Sequence, residues 1–381
     1  MSANNKGQNV ANAPLLRFPE FDEEWILLSL ENITQRVTRK NKNNESDVPL
    51  TISAQYGMVD QRDFFNKIVA SANLTTYYLL KKGEFAYNKS YSSGYPWGAI
   101  KRLDKYEKGV LSSLYICFEP KSNVNSDFLV QYFESSKWHE SVSNIAGEGA
   151  RNHGLLNVSV TDFFKTCHYI PDNLTEQKKI AEFLSLLDKR IEIQRTAIEK
   201  LKSLMAGICS KILLENTPNT RIKDCLSCES STLKESDLKD QGLYPVYGAN
   251  GLCGFTDSAE CNNESILIVK DGSGVGSLQY VTGDYSFIGT LNCLKLKNGF
   301  CLKYIYFMLS AFDFSKFKTG MAIPHIYFKD YGNSMIYCPP FDKQKKIAEK
   351  ISNLETKIKR ESNLLSLYQN QKQYLLSKMF I

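Results

Sequence analysis

Histidine is scarce in this chain, four in 381 residues. His139 and His168 have no companion that would make a ligand set or a general base, and no Ser/His/Asp or paired-carboxylate arrangement stands out. No run approaches the roughly 18 apolar residues that a membrane span needs. The opening stretch, Met1 to Ala13, is polar and lacks an apolar h-region, so it reads as a disordered leader (1–13) without a secretory signal. The ten cysteines are then expected to be reduced thiols of a cytoplasmic protein, not a disulfide frame. Proline, eleven in all, is missing from 176–213 and from 342–379. That gap permits long, uninterrupted helices.

What fills those two gaps is the same pattern twice. Glu176-Gln177-Lys178-Lys179-Ile180-Ala181-Glu182 returns as Lys343-Gln344-Lys345-Lys346-Ile347-Ala348-Glu349, an offset of 167. Apolar residues follow at alternating steps of four and three: Ile180, Leu184, Leu187, Ile191, a break at Gln194, then Ile198, Leu201, Met205, Ile208 and Ile212. The second copy has Ile347, Ile351, Leu354, Ile358, a break at Glu361, then Leu365, Tyr368, a polar Lys372, Leu375 and Met379. A 4-3 alternation keeps one apolar seam facing a partner helix. The polar breaks either fix the register of that seam or are solvated rungs.

The order of events between the helices is also repeated. Residues 50–120 read as short strands, Asp127–Trp138 as a helix, and Cys167–Ile170 as a strand that Pro171 ends, with Thr175 as N-cap of the first long helix. After Pro218 come a turn-rich stretch (Tyr244–Gly251), strands at Ile266–Val269 and Leu291–Cys293, and a helix-like Lys303–Phe312. A strand at Met335–Cys338 then leads into the second helix. The expected organisation is a tandem duplication of mixed α/β (α+β) domains, 14–175 and 217–340, alternating with long helices, 176–213 and 342–380. Connectivity makes a helix pair antiparallel, and a helix of about 38 residues is roughly 57 Å long, longer than a DNA turn of about 34–36 Å. The chain's net charge of +6 arises on these helices, whose 17 basic and 9 acidic residues leave +8, while 1–175 balances at 19 and 19 and 214–341, with 11 and 13, is at −2.

Two chemical readings weaken under inspection. Ile266 to Gly276 is a strand entering a G-x-G-x-G loop, as in nucleotide sites, and Cys338-Pro339-Pro340-Phe341 resembles the catalytic tetrapeptide of amino-methyltransferases. The loop should open a helix, yet Ser277–Val281 alternates like a strand. The tetrapeptide needs an Asn, Asp or Ser first, and Cys338 is a poor substitute. Zinc would use Cys225 and Cys228 with Cys253 and Cys261, but the last two are eight apart, not two to four. Cys209, Cys293, Cys301 and Cys338 sit in apolar runs and read as core thiols. Neither a catalytic residue nor a metal site is expected.

The loops suit DNA better. Lys89, Ser90, Tyr91, Tyr95 and Trp97, followed by Lys101 and Arg102, combine cation, hydroxyl and aromatic groups that serve phosphates, base edges and sugars. Arg151, Asn152 and His153 lie on a glycine-rich loop, and Arg suits guanine as Asn suits adenine. The second-domain counterparts are Asn250, Lys270, Asp271, Ser273, Ser277, Lys318 and His325.

Leu16-Arg17-Phe18-Pro19-Glu20-Phe21 through Trp25, Asn88-Lys89-Ser90, Tyr244-Pro245-Val246-Tyr247-Gly248 through Gly254, and the doubled Gln-Lys-Lys-Ile-Ala-Glu after proline resemble the specificity subunit of type I DNA restriction–modification complexes. The resemblance covers nearly the whole chain. It implies two target-recognition domains, each reading one half of a bipartite, asymmetric site in double-stranded DNA. They would be joined by two long antiparallel coiled-coil helices in a pseudo-two-fold arrangement. The helices would be spacer and docking surface, with Gln177, Lys178, Lys179, Gln344, Lys345 and Lys346 facing two modification subunits. Those partners would hold AdoMet and methylate adenine N6; restriction subunits would bring ATP and Mg. This chain would carry no catalytic residue and no cofactor of its own. The alternative is a coiled-coil scaffold whose end domains bind proteins or small ligands.

Overall fold

Leu174–Glu215 forms one helix of 42 residues and Phe341–Lys378 one of 38. Every seam position named above is buried or half-buried, so the 4-3 spacing marks the inward stripe correctly. The first helix begins before Thr175. Asn173 is its cap, with Oδ1 accepting from the Thr175 amide at 2.9 Å, which satisfies one of the orphan donors of the first turn. The computed structural model describes residues 12–53, 56–65, 71, 73–91, 94–146 and 154–381. No helix among them is long and apolar enough to cross a membrane.

The chain forms two units, Met1–Ile193 with Leu365–Ile381, and Gln194–Leu364. The first is built on an antiparallel four-stranded sheet in the order Thr34–Arg36, Ile116–Pro120, Phe85–Asn88, Ala99–Arg102. Helix Ser126–Glu134 buries Phe128, Leu129, Tyr132 and Phe133 in a core with Trp25, Phe85, Phe118 and Phe163. The long helices add Ile180, Ala181, Leu184 and Leu376 to that same core, and Met379 and Phe380, just past the end of the second helix, join them. Strands Ile26–Ser29 and Cys167–Ile170 pair antiparallel, bringing the domain's entry and exit side by side. The Leu16–Trp25 segment clamps onto the first long helix through Glu176. Its carboxylate accepts two bonds from Arg17, at 2.7 and 2.8 Å, and one from Trp25 Nε1 at 3.2 Å.

The second unit repeats this plan with different residues. Its four-stranded antiparallel sheet runs Leu226–Ser230, Leu291–Leu296, Ser265–Val269, Leu278–Val281. Thr220–Arg221 pairs with Met335–Ile336 at the entry and exit. Helix Leu302–Ser310 takes the place of Ser126–Glu134, and Met205, Ile208, Cys209, Ala348 and Ile351 of the long helices join its core. The stretch expected to be turn-rich is instead a hairpin, Tyr244–Gly248 with Gly251–Thr256. Tyr244, Val246 and Tyr247 favour strand, and only Ala249-Asn250 turns, with Gly251 at φ +102°. Cys225 and Cys338 pack with their sulfurs 3.9 Å apart, and Cys261 lies 3.7 Å from Cys293. Cys225 and Cys261 therefore belong to different core clusters.

The polar seam positions find partners. Within the first unit Lys372 Nζ lies 2.5 Å from Asp188, whose other oxygen accepts from Gln131 at 2.9 Å. Arg190 stacks over the Tyr368 ring, 4.7 Å from its centroid. As one number rises the other falls, so these helix segments run antiparallel. Within the second unit Gln194 Nε2 donates to the Glu361 carboxylate at 2.5 Å and to its carbonyl at 3.1 Å. The two breaks meet each other across the seam, which favours register-fixing over solvated rungs.

Candidate functional site

Each domain is fastened to the long helix that follows it by one buried glutamine. Gln177 Oε1 accepts from the Asn125 amide at 2.7 Å, and its Nε2 donates to the Pro171 carbonyl at 2.8 Å. Gln344, 167 residues on, accepts from the Cys301 amide at 2.9 Å and donates to the Pro339 carbonyl at 2.8 Å. Asn125 and Cys301 are the residues just before the two domain helices. Both glutamine side chains are buried and their amides are used inside the chain, which corrects the expectation that they face a partner. Their neighbours do reach the surface. Lys178, Lys345 and Lys346 are exposed, while Lys179 pairs with Glu20 and lies over Phe18. In the first unit the helices also expose Leu186 and Ile193, and Leu367 and Tyr374. Each pair is one heptad apart, an apolar stripe with no cover among the described residues.

In the first domain the loop after strand Phe85–Asn88 turns on Asn88, whose Oδ1 accepts from the Ser90 amide at 3.0 Å. The Lys89 carbonyl accepts from Leu156, and the Tyr91 amide donates to Gly154 at 2.7 Å. Gly98, at φ +78°, has no room for a side chain, since a Cβ there would lie 2.1 Å from the Asn88 carbonyl. Tyr91 and Trp97 line one cleft of about 340 Å³ with Pro96 and Gly154–Leu156. Arg151, Asn152 and His153 lie outside the described residues.

Lys101, Arg102 and Tyr95 are placed elsewhere. Lys101 is mostly buried and pairs with Glu134 at 2.5 Å, beside Tyr95 in a cleft of about 490 Å³. Burial, with the Glu134 charge, pushes the Tyr95 phenol up and keeps it protonated. Arg102 pairs with Asp104 and Asp127, both at 2.7 Å, and donates to Ser126 at 2.9 Å. Both cations tie the sheet to its helix, and withdrawing either would strand a carboxylate. Sequence spacing alone could not separate them from Lys89.

The second domain gathers its candidates more tightly. Lys270 and Asp271 follow strand Ser265–Val269, and Asp271 accepts from Lys270 Nζ at 2.5 Å and from His325 Nδ1 at 2.7 Å. Burial pushes the Asp271 carboxyl up, but the His325 and Lys270 hydrogen bonds outweigh it and hold the group below the usual carboxylate value. Asn250, Asp271 and Ser273 line one cleft of about 770 Å³ with Gly248, Gly272 and Thr290. Ser277 is exposed at the foot of the Gly272–Gly276 turn, and Lys318 is exposed one residue before the Thr319–His325 bridge. Gln279, not singled out from sequence, holds the hairpin turn on the sheet by donating to the Gly248 carbonyl at 2.7 Å. Its only sequence signal is a polar residue on a strand. Across the described residues no three His, Cys, Asp or Glu side chains gather as a metal site would require.

Comparison with known proteins agrees with this doubled plan. The type I restriction modification DNA specificity domain matches twice, over residues 66–203 and 219–366. A curated relative, the type I restriction enzyme EcoprrI specificity subunit of Escherichia coli, is 21% identical over 114 residues. That match spans 30% of this chain and 28% of the relative's length. The type I restriction-modification S subunit from M. genitalium superposes with a TM-score of 0.59 at 17% identity, covering 97% of this chain and 99% of that one. A chain from a structure described as the basis of complex assembly and conformational transition of the type I R-M system gives 0.56 at 15%, covering 93% and 97%. At these identities the superpositions speak for the fold. With both halves of the chain matched, this protein belongs to the family of type I restriction–modification DNA specificity subunits.

Proposed function

We propose that the chain is the sequence reader of a type I restriction–modification complex and leaves the chemistry to its partners. Each domain reads one half of a bipartite, asymmetric site in duplex DNA. The long helices act as spacer and dock modification subunits that hold AdoMet and methylate adenine N6. Restriction subunits with ATP and Mg complete the endonuclease. One observation carries the reading: two domains of the same strand order, latched alike by Gln177 and Gln344, present different side chains on their loops. Lys89, Tyr91 and Trp97 stand on one, Lys270, Asp271 and His325 on the other. A scaffold that binds one ligand twice would repeat its loops as well as its latches. Adenine methylation within a duplex requires the base to leave the stack, so a reader need only place the enzyme and accept deformed DNA.

Methylome sequencing of the host with and without this gene, the modification gene intact, tests the proposal. A gapped N6-methyladenine motif present only with the gene is expected. Methylation that is unchanged by deletion would overturn it.

A further inference from the structure

The second domain carries an exposed apolar turn on a braced base. Thr319 and His325 exchange both backbone hydrogen bonds, at 2.9 and 2.8 Å, and close the loop between them. Gly320, at φ +87°, allows that closure, because a Cβ there would lie 2.4 Å from the Ile323 carbonyl. Three further bonds anchor the base: Gly272 N to Pro324 O and Ile326 N to Lys270 O, both 3.0 Å, and His325 Nδ1 to Asp271. The tip is Met321-Ala322-Ile323, with Met321 106% and Ile323 58% exposed. Side chains of that kind gain about 1.5–3 kcal/mol when buried, so a fixed turn that holds them in water is set for a partner.

The surroundings say which partner. Lys270, Asp271 and His325 stand at the foot of the turn and Lys318 on its flank. Proteins that bear on DNA set apolar side chains against base steps while neighbouring cations meet the phosphates, and an apolar tip flanked by Lys318 and Lys270 has that composition. We propose that Met321 and Ile323 form an apolar prong that bears on base pairs of the half-site read by the second domain. This rests on the DNA-reading proposal above. A contact of this kind releases no counterions, so its share of the affinity is nearly independent of salt.

The test uses the assembled complex with its modification subunits, on duplexes carrying the methylated motif found in the host. Affinity is measured over a range of salt for wild type, for Met321→Ser with Ile323→Ser, for Met321→Ser alone, and for Lys318→Ala. The double variant is expected to lose about tenfold or more on the cognate duplex at every salt concentration, with an unchanged salt slope. It should lose little on a duplex scrambled in the second half-site. Met321→Ser, at a fully exposed position, should show the same pattern more weakly, and Lys318→Ala should lower the slope by about one. Wild-type affinity in the double variant, or an equal loss on the scrambled duplex, overturns the prong while leaving the DNA reading intact. Loss of co-elution with the modification subunits would make the turn a protein contact and also overturn it. A wild-type complex with no preference for the motif would sink both proposals.

Discussion

Lys89 and Lys101 look alike in sequence, a cation near aromatic residues, and the structure separates them by what each already binds. Lys101 neutralises Glu134 in a mostly buried pair, whereas among the described residues the Lys89 ammonium makes only a long bond, 3.4 Å, to the Val158 carbonyl. No periodicity could reveal this, because Glu134 comes from a helix 33 residues away. His168 is another case where packing decides chemistry. It is buried between the Tyr132 hydroxyl at 2.9 Å and Thr166 Oγ1 at 2.8 Å, and burial lowers its pKa to about 4. The folded ring stays neutral while the unfolded ring takes a proton near pH 6.5. Its contribution to stability is therefore fully present above pH 6.5 and is lost as pH falls from there toward 4, by roughly 3 kcal/mol at the end. All three tryptophans, Trp25, Trp97 and Trp138, lie in the first unit, so their fluorescence reports on that unit alone. Urea midpoints followed this way should fall between pH 7 and pH 5, and His168→Gln should flatten that dependence. An equal slope in the variant would assign the acid sensitivity to other groups.

At the scale of elements, the seams were legible because a 4-3 spacing needs only the helix's own geometry. Less was legible where elements meet. Lys372 looked like a flaw in the second seam; its partner Asp188 sits 184 positions earlier and is itself held by Gln131 from a third element. The doubled glutamines were visible, but repetition cannot say whether a residue repeats for an outside partner or for an inside contact. The backbone groups that Gln177 and Gln344 bind decide the matter. Gln177→Ala would leave the Asn125 amide and the Pro171 carbonyl short of a partner, at a cost of about 1–3 kcal/mol for each buried group. We expect Gln177→Ala to destabilise the first unit by roughly 2–6 kcal/mol and Gln344→Ala to act similarly on the second. Hydrogen exchange resolved by peptide would show each loss confined to its own unit. Uniform loosening across both units, or none in either, would refute equivalent latches.

At the scale of the molecule, those same latches explain how like helices accept unlike domains. Each bond from Gln344 ends on a backbone atom, the Cys301 amide or the Pro339 carbonyl, and Gln177 does the same at Asn125 and Pro171. At each latch the helix supplies the side chain and the domain supplies only main chain, so these bonds place no demand on the domain's sequence beyond the packing of its core against the helix. Loop residues such as Asn250, Asp271 and His325 can then change freely while the fastening stays the same. Replacing residues 217–340 with the corresponding segment of a family member that reads another site should give a chain that still assembles with the modification subunits. Its methylated motif should change in one half and keep the other. At the two latch points the donor needs a backbone amide, which any residue except proline supplies, and a carbonyl, which any residue supplies. A change in both halves would mean that readout depends on contacts beyond each domain, and loss of assembly would mean that the swapped segment does more than read.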